Sequence, residues 1–149
     1  MELDGEYLVE AAPEAVWRAL NDAAVLAACI PGCRSLEQRS DSEFAAIVEA
    51  KIGPLKAAFA GTMHLSEVEA PHACTLRGEG KGAAAGFARG SARVTLEAEN
   101  GATRLRWRAK AEVGGKLASI GNRLVAGAAR KMAADFFDAF ARSFIPTSP

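Results

Sequence analysis

Three cysteines and two histidines are the residues of this sequence whose types could bind a metal or carry out redox chemistry. The segment CIPGC (residues 29–33) places two cysteines close together, and the third, Cys74, follows His72. Zinc sites usually combine a CxxC pair with a second close pair of ligands, and this spacing differs. A reactive thiolate needs a neighbouring positive charge, and Arg34 is the only cation near the segment. We therefore predict no metal site in this chain.

The CIPGC segment also has a purely structural interpretation. Proline ends a helix, and the glycine after it permits a tight turn. Cys29 then packs as a small apolar side chain. An odd number of cysteines in a chain without an export signal favours reduced thiols. A regulatory disulfide between Cys29 and Cys33 stays open as the alternative.

Catalytic groups are scarce on the side of the predicted strands that faces the core. Nucleophilic catalysis needs a nucleophile, a base and an orienting group within reach of one another, and no residues meet that test. His64 falls on the solvent-facing side of its strand. The glycine-rich segment 79–86 lies between strands, with no helix after it to bind a phosphate. We therefore predict that the protein is not an enzyme.

Length and composition restrict the class of protein further. A chain of 149 residues suits a single domain, 1–149, with one core. Its 18 basic and 18 acidic residues balance to zero formal charge, which disfavours nucleic-acid binding. No run approaches the ~20 apolar residues of a membrane helix, and the N-terminal MELDGEYLVE lacks signal-peptide features. We therefore expect a cytoplasmic protein.

The N-terminal part of the chain predicts one strand and two short helices. Residues 3–9 alternate in polarity, as a half-buried strand does. Pro13 is well placed in the first turn of a helix whose apolar stripe includes Trp17. Asp22 is the expected N-cap of a second helix that ends at Cys29.

From residue 34 to residue 113 the hydrophobic pattern has a period of two. In TRLRWRAKAEV (103–113), Leu105 and Trp107 face one side of a strand while Arg104 and Arg106 face the other. Such alternation is typical of an antiparallel sheet with one face in water. Six strands are predicted, one beginning near Arg34 and the others at 43–52, 55–68, 73–81, 87–98 and 103–113.

After Gly114 and Gly115 the period becomes helical. Apolar residues recur every three or four positions from Leu117 to Phe144, which predicts one helix of about 28 residues ended by Pro146. The apolar face of such a helix must cover the dry face of the sheet. We therefore predict an α+β helix-grip fold: a seven-stranded antiparallel sheet wrapped around a long C-terminal helix, with two short helices after the first strand.

The inward positions of the predicted strands are unusually small, and nine of them are alanine or glycine. A long helix across such a surface leaves a cavity suited to a flat or greasy ligand. In the alternative, the sheet flattens, the helix sinks closer and the core is solid. The residues predicted to line the cavity are Phe44, Phe59, Met63, Leu76, Trp107, Leu117, Ile120, Leu124 and Met132.

Three glycine-rich turns are expected at the same end of the sheet, because successive turns of an antiparallel meander alternate between its two ends. Glycine tolerates positive φ and leaves the backbone exposed and mobile. The three turns together indicate a gate through which a ligand enters, whereas each alone reads as an ordinary tight turn. The predicted gate residues are Gly53, Pro54, Gly82, Gly86, Gly114, Gly115 and Lys116.

Four cations form a basic stripe along one outer strand face. One interpretation is a solvated strand paired with Glu97 and Glu99 across the hairpin. The other is a binding surface for an acidic partner or an anionic lipid. The cations of the stripe are Arg104, Arg106, Arg108 and Lys110.

The chain resembles, over nearly its whole length, the G subunit of carbon monoxide dehydrogenase (the CoxG family), within the START-like (SRPBCC) superfamily. The segments that carry the resemblance are VWRALND (16–22), CIPGC (29–33), KIGPLKAAFAGT (51–62), GEGKGAAAGFARGSA (78–92), VGGKLASIGNRL (113–124) and ARKMAADFF (129–137).

The resemblance implies a helix-grip fold of the START/Bet v 1 type with an apolar pocket. It also implies a non-catalytic role beside a molybdenum hydroxylase of the carbon monoxide dehydrogenase type, in membrane recruitment or electron handover. The implied ligand is a quinone or similar lipid, with no metal or covalent cofactor. Longer members carry a C-terminal hydrophobic anchor, whereas this chain stops three residues after Pro146. We therefore expect a cytoplasmic factor, with peripheral contact at the inner face of the membrane.

Two other functions remain open at this point. Some START-like domains are cyclases or aromatases, and such an enzyme requires polar side chains such as Tyr7 and Arg89 to point into the cavity. A ligand-free interaction module requires a solid core and binds its partner through the basic stripe.

Overall fold

The computed structural model describes residues 1–145, and within that range the chain forms a seven-stranded sheet, four α-helices and one 3-10 turn. The elements in chain order are β1 (Glu2–Val9), α1 (Pro13–Leu20), α2 (Ala23–Cys29), β2 (Cys33–Ser40), β3 (Glu43–Ile52), β4 (Leu55–Glu69), β5 (Ala73–Lys81), the 3-10 turn (Ala83–Ala85), β6 (Phe87–Glu99), β7 (Ala102–Gly114), α3 (Lys116–Ser119) and α4 (Asn122–Arg142).

All neighbouring strands of the sheet are antiparallel, in the order β1-β7-β6-β5-β4-β3-β2. The β3–β4, β5–β6 and β7–α3 connections therefore lie at one end of the sheet, which we call the loop end. We call the opposite end, where α1 and α2 follow β1, the helix end. The predicted fold class, strand number and position of the short helices are confirmed.

The C-terminal helix differs from its prediction, because it is not continuous from Lys116. Gly121 has φ of +101°, a left-handed conformation that interrupts the helix. The short α3 precedes this glycine, and α4 after it has 21 residues rather than about 28. Lys116 therefore begins α3 and not the long helix. The predicted stop at Pro146 lies outside the described residues.

The CIPGC segment forms the turn between α2 and β2. Two backbone N–H groups, of Ala24 and Val25, donate to the Asp22 carboxylate at the start of α2, and the helix ends at Cys29. Gly32 has φ of +73°, and its carbonyl accepts a hydrogen bond of 2.9 Å from the Glu49 N–H of β3. A Cβ atom at Gly32 would lie 2.0 Å from the Glu49 carbonyl oxygen. Only glycine fits this close approach between turn and sheet.

Gly32→Ala is expected to destabilise the protein by about 3 kcal/mol or more, because left-handed strain adds to the clash with β3. Gly101→Ala is the matched control. Gly101 has φ of +84° and no atom within 4 Å of the position that a Cβ would take, so only the strain of about 1–2 kcal/mol applies. Urea denaturation of the two variants measures the difference. Equal losses of stability in the two variants would show that the turn at Gly32 is not packed closely against β3.

Most of the buried apolar side chains form two separate clusters, one at each end of the sheet. The helix-end cluster consists of Val9, Val16, Cys29, Cys74, Val94, Leu96, Leu105 and Phe140. The loop-end cluster consists of Ile52, Leu117 and Val125. Helix α4 joins them, since Val125 near its start is in one and Phe140 near its end is in the other.

Candidate functional site: a hollow between α4 and the sheet

Between the two clusters, the inner face of the sheet is lined by residues with little or no side chain. Each of these positions stays partly accessible to solvent. A glycine among them, Gly78, has only the Thr62 carbonyl oxygen, at 3.6 Å, near the position that a Cβ would take. The small, partly accessible positions are Ala46, Ala57, Gly61, Gly78, Gly80, Gly90, Ala92, Ala109 and Ala111.

The facing side of α4 is equally open. Only Val125 and Phe140 are buried along the helix, and Met132 between them is partly exposed and belongs to neither cluster. The middle of α4 and the inner face of the sheet beneath it are therefore both partly exposed, and we call the space between them the hollow.

The predicted lining residues fall into four groups by burial and packing. Phe44 and Leu117 are fully buried, at 2% and 1% exposure. Phe59 and Ile120 pack against the loop-end cluster, and Leu76 and Trp107 against the helix-end cluster. Met63 and Met132 are partly exposed between the clusters. Leu124 is 49% exposed and lies at the loop end, 3.4 Å from the position of a Cβ on Gly53.

An aromatic stack joins Trp107 of the predicted lining to Phe137 and Tyr7, which that lining did not include. The Phe137 ring of α4 stacks on Tyr7 of β1 at 4.8 Å between centroids and on Trp107 of β7 at 6.0 Å. Phe136 meets Phe137 edge to face at 4.9 Å. Phe137 lies one position away from the apolar stripe of the helix, so periodicity alone does not place it on the inner side of α4. The sequence signal that could have indicated Phe137 is that it directly follows Phe136, which belongs to the stripe.

Trp107 and Gly5 are partners across β7 and β1. A Cβ on Gly5 would lie 2.5 Å from the indole Nε1, so the Trp107 ring occupies the space that a side chain at residue 5 would need. The Nε1 atom is buried and has no hydrogen-bond partner among the described residues. Burial, with a smaller contribution from the Asp138 carboxylate, raises the pKa of Tyr7 above its ordinary value, so its hydroxyl is neutral at physiological pH.

The predicted gate turns lie together at the loop end, and two of them are in contact. A Cβ on Gly86 would lie 2.1 Å from the Gly114 carbonyl oxygen, and one on Gly115 would lie 2.9 Å from the Gly86 Cα. A side chain on Gly82 would meet the Phe59 ring at 2.6 Å. The third turn, at Gly53 and the exposed Pro54, lies beside Leu124 of α4. Their role as a gate stays a prediction.

Most of the basic stripe on the outer face of β7 is paired with acidic side chains of the neighbouring strands. Arg104 binds Glu99 with two hydrogen bonds of 2.9 Å, and Arg106 binds Glu97 at 2.9 Å. The hydrogen bond from Arg104 holds the pKa of Glu99 below its usual range. Lys110 lies 3.8 Å from Glu2. The interpretation as a solvated, paired strand is therefore confirmed for Arg104 and Arg106.

The outer face of the sheet also carries an open trough of about 740 Å³. Polar residues line it, including His64, Arg77 and Arg89. His64 is exposed and lies 3.8 Å from the Glu43 carboxylate. Arg89 pairs with Glu112 on this face, so it does not enter the hollow. No set of three metal-binding side chains is found within residues 1–145.

The three cysteines are free, and two of them are buried in the helix-end cluster. Burial raises the pKa of Cys29 and Cys74. Cys33 is partly exposed, and its thiol lies 3.4 Å from the Ser35 carbonyl. The burial of Cys29 favours the structural interpretation of CIPGC over the redox one, because a neutral, buried thiol is a poor nucleophile.

We expect a thiol reagent at pH 8 to label Cys33 rapidly, and Cys29 and Cys74 only after unfolding. The raised pKa values of the buried thiols also mean that folding favours their neutral forms. The free energy of unfolding therefore has its full value below the unfolded thiol pKa of about 8.5, and it falls as the pH rises above that value. Mass spectrometry of labelled peptides identifies the reacting residue. Rapid labelling of Cys29 in native buffer would contradict its burial.

The chain is similar to known proteins in sequence and in structure. The family model of the carbon monoxide dehydrogenase G subunit (CoxG) matches residues 5–145. A conserved protein from Geobacillus kaustophilus is similar at 28% identity and a TM-score of 0.89, over 97% of this chain and 95% of that chain. No match is found among curated proteins.

Two more distant solved structures share the fold. Ara h 8.0201 is 13% identical with a TM-score of 0.69, over 97% of each chain. The Zhui aromatase/cyclase from Streptomyces sp. R1128 is 14% identical with a TM-score of 0.69, over 96% of this chain and 92% of that chain. Within the described residues, no helix combines the length and the apolar character required to cross a bilayer.

Proposed function

The chain belongs to the CoxG family, that of the carbon monoxide dehydrogenase G subunit, and from this premise we propose that it is a non-catalytic accessory protein that carries one apolar molecule in the hollow. The molecule is a quinone or another lipid. In this role the protein couples a molybdenum hydroxylase of the carbon monoxide dehydrogenase type to the membrane, or recruits it there.

The observation that supports the proposal is the small, partly accessible lining of the hollow. Protein interiors are normally packed as densely as organic crystals. Here nine inner-face positions of the sheet between the two clusters are alanine or glycine and stay partly accessible, as does Met132 of α4. An unfilled apolar space of this kind is stabilised when an apolar ligand removes its walls from water, by about 25 cal/mol for each Å² covered.

The aromatic stack supports a flat ligand over an irregular one. Phe137, Trp107 and Tyr7 present nearly parallel rings, with interplanar angles of 22° and 16°. Planar conjugated molecules stack favourably on such rings. A quinone head group has this shape, and its isoprenoid tail suits the apolar remainder of the hollow.

An enzyme of the cyclase kind finds less support in the same geometry. Tyr7 does turn toward α4, where it stacks on Phe137. Arg89, the second polar residue that such a function requires, pairs with Glu112 on the outer face. A neutral phenol with the Asp138 carboxylate as its charged neighbour does not supply the nucleophile, base and orienting group that catalysis requires.

Fluorescence of Trp107 tests ligand binding directly. The Trp17→Phe background leaves Trp107 as the only indole, and menadione or a short-chain ubiquinone serves as the probe. We expect saturable quenching with one site per chain. The Trp107→Phe variant keeps Trp17 of α1, which is not one of the rings stacked on Phe137, and its emission should change less. Equal or non-saturating quenching of both proteins would contradict the proposal.

The partner requires a separate experiment. Immobilised protein should retain a molybdenum hydroxylase from a lysate of its own organism, and molybdenum content identifies the retained complex. Retention of unrelated proteins with no molybdenum would contradict the coupling role and leave ligand binding unaffected.

A further inference from the structure

The charges of this neutral chain are distributed unevenly, and most cations of the loop end have no acidic partner among residues 1–145. The segments 50–57, 80–88 and 113–124 form this end and the start of α4, and they contain no aspartate or glutamate. Their five cations leave 13 basic residues to oppose 18 acidic ones elsewhere in the chain. We call these five residues the loop-end cations: Lys51, Lys56, Lys81, Lys116 and Arg123.

The loop-end cations are exposed and mostly unpaired. Lys56 lies 3.3 Å from the Glu49 carboxylate. None of the other four lies within ion-pair distance of an acidic group in residues 1–145. The basic stripe on β7 is the contrast, since Arg104 and Arg106 are paired there. An unpaired set at one end is available to bind an external anionic surface.

Large apolar side chains are exposed at the same end. Leu124 is 49% exposed beside the Gly53 turn, and Phe87 is 37% exposed at the start of β6. Pro54 and the small side chains of Ala83 and Ala84 are also exposed there. Apolar side chains surrounded by cations are typical of surfaces that enter the headgroup region of an anionic bilayer.

We propose that the loop end binds the surface of an anionic lipid bilayer, with the loop-end cations on the lipid phosphates and Leu124 and Phe87 inserted between headgroups. The proposal rests on the proposed function, because membrane binding at the loop end places the predicted gate against the bilayer, where apolar molecules are dissolved. A bilayer fits better than an acidic protein surface, since it supplies both anionic groups and an apolar layer for Leu124.

Sedimentation with vesicles tests this surface. The vesicles are phosphatidylcholine alone, or with roughly a third of phosphatidylglycerol to give a negative surface. The test variant is Lys81→Glu/Arg123→Glu. The matched control, Arg18→Glu/Arg39→Glu, makes the same change of charge at two exposed arginines of α1 and β2, away from the loop end.

We expect wild type and the control to bind the anionic vesicles and not the neutral ones, with binding weakened by salt. The test variant should bind at least about tenfold less, because each cation near an anionic surface contributes separately. Leu124→Ser should also weaken binding without changing the charge. An equal loss of vesicle binding in the two double variants would overturn the proposal, and so would equal binding of wild type to the two kinds of vesicle. Wild type that binds only an acidic protein, and neither vesicle, would also overturn it.

The same variants separate this proposal from ligand binding. Quinone titration in vesicle-free buffer should give the same affinity for wild type and Lys81→Glu/Arg123→Glu, since neither residue belongs to the hollow. Loss of vesicle binding with intact quinone binding is the expected pattern for the test variant. Wild type that binds quinone but no anionic vesicle overturns only the membrane surface, and the reverse result overturns only the ligand.

Discussion

Gly78→Leu is expected to weaken quinone binding at least tenfold while the protein stays as stable as wild type or becomes more so. Gly78 lies on the inner face of β5, opposite Met63 of β4, and only the Thr62 carbonyl oxygen lies near the position of a new Cβ. The leucine side chain therefore extends into the hollow and occupies the space of the ligand. Removing a strand glycine also contributes about 0.5–1 kcal/mol of stability.

Arg77→Leu is the matched control for this variant. It places the same side chain one residue away on the outer face, where Arg77 is exposed. Affinity from fluorescence titration and stability from urea denaturation should both remain near wild type in the control. A loss of about 1–3 kcal/mol in Gly78→Leu would indicate overpacking of a solid core. Unchanged quinone affinity would place the ligand elsewhere.

Phe140→Ala is expected to destabilise the protein by about 3–5 kcal/mol, whereas Met132→Ala should cost about 1 kcal/mol or less. Both residues lie on the inner side of α4. Phe140 is fully buried and stacks on Phe136 at 5.9 Å, with Phe144 edge to face at 5.3 Å. Met132 belongs to neither cluster and is partly exposed, so its truncation creates no new cavity.

Urea denaturation of the ligand-free protein measures both free energies of unfolding. A solid interior predicts instead that Met132→Ala costs about 2–5 kcal/mol, as is typical of a buried methionine. Adding menadione provides a second comparison. The ligand should stabilise wild type more than Met132→Ala, because the variant has lost a wall contact.

The fold could be predicted from the sequence because its elements differ in period. The alternation of residues 103–113 specifies a strand with one wet face, and β7 has that orientation, with Leu105 fully buried and Arg106 exposed. The break at Gly121 could not be predicted in the same way. A hydrophobic stripe with helical period continues across a single left-handed glycine, since only the backbone angle of that residue changes.

The candidate site could be predicted only in part, for a related reason. Periodicity indicates which residues share a face, and it placed Phe59, Met63 and Trp107 on the inner side of the sheet. It cannot give the depth at which α4 crosses the sheet or the rotation of the helix about its axis. These determine that Phe137 stacks on Tyr7 and that Leu124 lies at the loop end.

Native mass spectrometry of protein purified from its own organism tests the central claim most directly, together with organic extraction of the bound material. The account predicts one quinone or lipid per chain, released by extraction and restored by adding the same molecule. Gly78→Leu should be isolated without it. A ligand-free mass that is unchanged by added quinones would contradict the carrier function and favour an interaction module with a solid core.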